Sequence, residues 1–166
     1  MNGSDETTGT THLRAAARVA GSRATAHAVL GENRVAWLGT AVGSSPDDSS
    51  LSRYELDLEM PFLEGRSASL HKAALVDLGQ LHEEVLGGPI CLRISWQAAS
   101  LAPLFPVFSG TLCWSPGELR LNGFYAPPGG VAGVVADRLL MRLAAERTAR
   151  WVLDRIVAAM PSAAPS

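Results

Sequence analysis

From residue 134 to residue 160 the chain contains neither glycine nor proline, while the text between residues 53 and 125 runs with a different period. So long a stretch without a breaker predicts one C-terminal helix over residues 131–160. The text before it alternates. Arg-Tyr-Glu-Leu-Asp-Leu-Glu-Met over residues 53–60 puts Tyr54, Leu56, Leu58 and Met60 on one face and charges on the other. That is the pattern of a half-buried antiparallel strand. Residues 67–78, 90–96, 107–114 and 118–125 continue the series, and residues 12–19 form a weaker strand before it. Strands followed by a segregated helix imply an α+β layout. The expected architecture is a curved antiparallel sheet of six or seven strands gripping the C-terminal helix.

Two short helices are expected after the first strand. Ser22 is placed to cap the first, which runs to about Leu30, and Asn33 to cap a turn carrying Val35, Trp37 and Leu38. Residues 43–50 read as a loop. Residues 1–11 and 161–166 read as disordered tails around one domain spanning residues 12–160. That length buries enough surface to hold a core of its own.

The registers follow from keeping apolar positions on one face. Trp96 then lies opposite Phe108 and Ile94 opposite Gly110, with Trp114 opposite Leu119 across a turn at residues 115–118. Gly110 meets Gly123 and Phe108 meets Tyr125. Two inner rows result, Trp96–Phe108–Tyr125 and Ile94–Gly110–Gly123. Paired strand glycines mark a bend or a close backbone approach.

Fourteen basic against sixteen acidic residues leave no electrostatic footprint for nucleic acid or an anionic membrane. No apolar run is long enough for a transmembrane helix, and the first residues lack the order of a signal peptide, so a cytoplasmic location is expected. Cys91 and Cys113 fall near one another on the outer face; in a reducing compartment both are expected as free thiols, with a cross-strand bridge as the alternative.

Several of these segments resemble a known superfamily. Arg-Ile-Ser-Trp-Gln over residues 93–97 and Leu-Phe-Pro-Val-Phe-Ser-Gly-Thr-Leu over 104–112 are similar to stretches of the SRPBCC, START-like or helix-grip proteins. So are Leu-Arg-Leu-Asn-Gly-Phe-Tyr-Ala-Pro-Pro over 119–128 and the helix that begins Gly-Val-Val-Ala-Asp-Arg-Leu-Leu over 133–140. The superfamily includes lipid-transfer-like domains and polyketide cyclases/dehydrases. The Gly-x-Tyr-x-Pro-Pro ending resembles its small actinobacterial-type members. The resemblance implies a cavity between sheet and terminal helix, often used for an apolar ligand. It supplies no catalytic residue, because these motifs are packing signatures.

Among chemistry-bearing residues, His12, His27, His71 and His82 lie in separate segments without metal-ligand spacing, so no metal is expected. Lys72 shares the parity of Leu70 and Ala74; it points into the cavity, or a bulge sends it to solvent. On the helix, Arg138, Arg142, Glu146, Arg150 and Asp154 describe a solvated ridge. Leu140, Met141, Ala144, Thr148, Trp151, Val152 and Ile156 form the stripe expected to meet the sheet. Val135, Leu139 and Leu143 make a further apolar ridge, covered by the short helices or else a homodimer surface.

The leading expectation is binding or carrying of a small hydrophobic ligand, lipid-like or polycyclic, with no cofactor and no membrane insertion. Its lining would be Tyr54, Leu56, Leu58, Trp96, Phe108, Tyr125, Leu140, Met141 and Ala144. One alternative is a polyketide cyclase/aromatase-like enzyme or hydrolase using polar cavity groups such as Lys72, Tyr54 and Tyr125. Another is an interaction module whose core is filled by its own side chains.

Overall fold

Each alternating segment becomes a strand, and the strands join in one curved antiparallel sheet. The computed structural model describes residues 10–61, 69–99, 107–126 and 138–161; for 58–61, 69–72 and 138–141 it describes the backbone. In chain order come β1 (Thr11–Arg18), α1 (Arg23–His27), a π-helical turn (Ala28–Glu32), α2 (Val35–Leu38), β2 (Thr40–Ser44) and β3 (Ser52–Pro61). Then follow β4 (Ser69–Leu78), β5 (His82–Glu83), β6 (Ile90–Ala98), β7 (Val107–Ser115), β8 (Glu118–Ala126) and α3 (Arg138–Ala159). The sheet order is β1-β8-β7-β6-β4-β3-β2, with β5 paired to β6.

The registers are those the alternation predicts. Trp96 pairs with Phe108, Ile94 with Gly110, Trp114 with Leu119, Phe108 with Tyr125 and Gly110 with Gly123. Pro116 and Gly117 alone connect β7 to β8, with Gly117 at φ +86°, so the turn leaves no slack for a slip. Two short strands add to the six long ones. β2 is an exposed edge strand with an irregularity between Ala41 and Gly43, and β5 is a two-residue pairing.

The paired glycines are a close approach of two backbones. A Cβ on Gly110 would strike the Asn122 carbonyl oxygen and come within 2.7 Å of the Gly123 Cα; one on Gly123 would strike the Ser109 carbonyl oxygen. The Phe108 ring closes the same spot from the inner side, its Cζ 2.7 Å from where either Cβ would stand.

Between β1 and β2, Ser22 caps α1 as expected, accepting from the Thr25 N–H at 3.2 Å. Asn33 does not cap α2. Its own N–H closes the π-helical turn on the Ala28 carbonyl, and Arg34 stands at the cap position without capping, its guanidinium donating instead to the Leu30 and Gly79 carbonyls at 2.8 Å each. Arg155 of α3 donates to the Trp37 carbonyl at 2.8 Å, which ties the short helices to the long one.

The helix meets the sheet on a face rotated from the expected stripe. Ala145, Thr148, Ala149, Val152, Leu153 and Ile156 are buried, while Trp151 is half-buried with the Arg155 guanidinium 4.8 Å from its ring. α3 packs most closely on β1, and short side chains on both, Ala15 and Ala17 on the strand and Ala145 and Ala149 on the buried face of the helix, permit that close approach while Trp151 stays half-buried. Arg142, Glu146, Arg150 and Asp154 are exposed, and Arg142 pairs with Glu146 at 2.8 Å. Leu143 is 42% exposed, whereas Val135 and the side chain of Leu139 lie outside the described residues.

The cysteines differ from expectation: Cys91 and Cys113 form a disulfide. They stand directly opposite in the β6–β7 pair, with Cα atoms 4.1 Å apart, so the register itself brings the sulfurs together.

Two outcomes follow. Gly110→Val should cost about 3 kcal/mol or more, the upper end for overpacking because backbone atoms are struck, and lower the melting temperature by roughly 6–12 °C. An unchanged melting temperature would contradict the close approach. Reducing the Cys91–Cys113 bond, or replacing both cysteines by serine, should cost about 3 kcal/mol on loop-closure grounds, read from urea denaturation with and without reductant.

Candidate functional site

One row crosses the inner face of the sheet. Tyr54 pairs with Val76, Val76 with Trp96, Trp96 with Phe108 and Phe108 with Tyr125, so five adjacent strands each contribute one residue. Four of the five are aromatic. Alternation places them: Tyr54 sits between Arg53 and Glu55, and Trp96 between Ser95 and Gln97, so the apolar member of each triplet turns inward.

The Trp96 and Phe108 rings are stacked, with centroids 4.1 Å apart and planes 18° apart. Both are closed to water, Trp96 at 2% and Phe108 at 0% exposure. Tyr54 and Tyr125, at the ends of the row, are buried too. The next inner row is small, pairing Leu56 with Ala74 and Ala74 with Ala98. From α3, Ala144 is half-buried and packs against the same core. The structure thus brings Tyr54, Leu56, Trp96, Phe108, Tyr125 and Ala144 to one side of the sheet. The side chains of Leu58, Leu140, Met141, Lys72 and His71 lie outside the described residues.

Polar groups on this face are few. Thr148 spends its hydroxyl on the Ala144 carbonyl at 2.9 Å. The Trp96 indole Nε1 is buried and finds no acceptor, as does that of Trp114 at the opposite end of the sheet. Trp37, by contrast, donates to the Val29 carbonyl at 3.0 Å. The Arg142 guanidinium donates to Glu146, and that contact chiefly raises its pKa.

The outer face carries a polar cluster that the alternation alone does not reveal. Arg53 forks onto Asp77, Nε to Oδ1 and NH2 to Oδ2, each at 2.7 Å. The Ser45 hydroxyl donates to Asp77 at 3.0 Å and accepts from Arg53 at 3.2 Å. Sequence reasoning counts Arg53 as a solvated strand charge. The available signal was that residues 53 and 77 share outer parity and become opposite neighbours once β3 and β4 are in register. Beside the cluster lies a shallow open depression lined by Leu51, Asp77, Arg93, Ser95 and Ser109. Its charges are already paired, since Arg93 reaches Asp48 at 3.1 Å. Hydrogen bonds from Arg53, more than that from Ser45, hold the Asp77 carboxyl below the usual carboxylate range against the opposing effect of burial.

The histidines stay apart. His12 meets the Phe124 ring edge-on at 5.1 Å, His27 lies 3.5 Å from Glu83, and His82 sits on β5. Among the described residues no three His, Cys, Asp or Glu side chains are placed to hold a metal ion. No helix among them is long and apolar enough to cross a membrane.

No family model matches the chain, and no curated protein does. Among solved structures it is similar to the crystal structure of DynU16, a protein in the dynemicin biosynthetic locus, at 13% identity and a TM-score of 0.45. The match covers 89% of this chain and 46% of that one, so this chain spans about half the length of the protein it matches.

Asp77→Asn should cost roughly 1–3 kcal/mol by leaving the part-buried Arg53 guanidinium half-paired. In the parent protein the lowered Asp77 carboxyl stabilises the fold fully above about pH 4, and that contribution is lost as pH falls through the lowered value. Denaturation measured between pH 2 and 7 should show a steeper acid loss in the parent than in Asp77→Asn. Parallel curves would mean that Asp77 titrates alike folded and unfolded.

Proposed function

We propose that the chain binds a small hydrophobic molecule, lipid-like or polycyclic, between the inner face of the sheet and α3, without covalent chemistry. The observation that carries this is the inner row of Tyr54, Trp96, Phe108 and Tyr125 standing beside the small residues Ala74 and Ala98. Aromatic side chains offer large rigid contact areas, and the alanines of the neighbouring row put no long side chain in a guest's way. The resemblance to helix-grip proteins supports the same face of the sheet, with Leu58, Leu140 and Met141 completing the lining.

A cyclase- or hydrolase-like enzyme would need several polar groups converging on one point. On the described inner face the backbones of Tyr54 and Tyr125 stand two strands to either side of that of Trp96, about 10 Å away at roughly 4.8 Å per strand. That spacing suits orienting a guest better than transforming it. The competing reading is a filled core. It is favoured by the stacking of Trp96 on Phe108, both shut off from water. The proposal holds in a reducing cytoplasm or an oxidising compartment, because Cys91 and Cys113 lie on the outer face.

Titration of a fluorescent fatty acid and of a polycyclic aromatic probe separates these readings. Binding of either by the parent protein is expected. Ala144→Phe should weaken it by about tenfold or more, the scale of one well-placed side chain, while the melting temperature changes little. Failure of both probes to bind would favour the filled core. Equal binding by Ala144→Phe would place the site elsewhere.

A further inference from the structure

We infer that the guest carries a hydrogen-bond acceptor, a ketone- or ester-type carbonyl oxygen set in an otherwise apolar framework, and that the Trp96 indole N–H is its donor. This rests on the ligand-binding reading above and names the chemical class within it. Three of the four tryptophans are buried, and the fold gives one of them, Trp37, a backbone acceptor. Trp96 has none. Its neighbours in the row are Val76 and Phe108, whose side chains offer no acceptor, and the stacked Phe108 ring lies nearly parallel to the indole. A parallel ring presents its face to the indole face, not to the N–H. Buried donors in folded proteins are nearly always satisfied, so an unpaired one inside a candidate binding face points to a partner that the described residues do not supply.

The chemistry of that partner is constrained by its surroundings. It must accept from the indole, and the nearest side chains of the row, Val76 and Phe108, offer no acceptor for the second donor that a hydroxyl or amine would bring. A free carboxylate is disfavoured at this point, since the row supplies no counter-charge and an unpaired buried charge is far more costly than a neutral dipole. A carbonyl oxygen meets both conditions. Because Trp96 is closed to water, a guest reaches it only as neighbouring side chains give way, and the gain from the new bond offsets part of that cost.

Trp114 has the same unpaired donor but a different setting. It pairs with Ile90 and Leu119 at the end of the sheet closed by the tight β7–β8 turn, away from the aromatic row. It therefore serves as an internal control.

Fluorene and 9-fluorenone provide the test, since they share a framework and differ by one carbonyl oxygen. Dissociation constants are measured for both with the full chain and with Trp96→Phe. The parent's preference for the ketone over the hydrocarbon should fall about fivefold to tenfold in Trp96→Phe, the worth of one hydrogen bond to a buried donor. Taking the ratio of the two preferences cancels the difference in hydration between the probes. An unchanged ratio with both probes still binding overturns this inference and leaves the ligand-binding reading standing. Failure of both to bind the parent overturns the two together. Should Trp96→Phe not fold, the indole N–H resonances of the parent decide the matter. That of Trp96 should move downfield with fluorenone and not with fluorene, while that of Trp114 stays put. Equal movement of the Trp96 resonance with both probes overturns the inference.

Discussion

The contact of Gly110 with Gly123 is the point from which the inner face is organised. Neither position has room for a Cβ, because the facing carbonyl oxygens of Asn122 and Ser109 occupy that space. Two strands without side chains at one level would leave a hole in the core. The Phe108 ring lies back over both glycines and fills it. With Phe108 held there, its ring presents a flat surface to β6, and Trp96 stacks on it. Tyr125 and Tyr54 extend the same level outward. The aromatic row is thus a consequence of a backbone constraint, since a side chain at either glycine would displace the ring on which Trp96 rests.

Much of this was legible in the sequence because a strand has only two faces. Once residues 53–60 put Tyr54 inward, and a two-residue turn fixed β7 against β8, Phe108 had to meet Tyr125 and Gly110 had to meet Gly123. A helix has more faces, and there size misled. Trp151 was expected against the sheet, yet Ala145, Ala149 and Leu153 take buried places and Trp151 turns half out beneath Arg155. β2 and β5 escaped notice because neither is long enough to alternate, and what makes them strands is a partner elsewhere in the chain. The Asn33 cap failed for a related reason: a π-helical turn with Val29 and Leu30 buried, closed by the Asn33 N–H on the Ala28 carbonyl, carries the chain past the point where a new helix would need capping. For the candidate site the residues on the aromatic row could be named in advance. What could not be seen was that Trp96 would lack an acceptor while Trp37 found one, since both depend on carbonyls brought close only by tertiary structure.

The two faces of the sheet divide the work. On the outer face stand the Arg53–Asp77–Ser45 cluster and the Cys91–Cys113 bond, which tie β3 to β4 and β6 to β7. Those are four of the five strands that present the aromatic row inside. Charge pairing and covalent linkage hold the strands from behind, so the inner surface can be built from aromatic rings and small residues with few polar demands of its own.

The Cys91–Cys113 bond also changes what a cut in the backbone would mean. The two sulfurs close a covalent ring that runs through residues 92–112 and contains both Trp96 and Phe108. A protease that hydrolyses one peptide bond within that ring opens it but separates nothing: the two pieces stay joined through sulfur. Such a nicked chain would keep its full mass on a denaturing gel without thiol and fall into two bands only when thiol is added. Where the cut falls between residues 96 and 108, β6 and β7 would remain paired inside the folded sheet, with Trp96 and Phe108 then on different polypeptides.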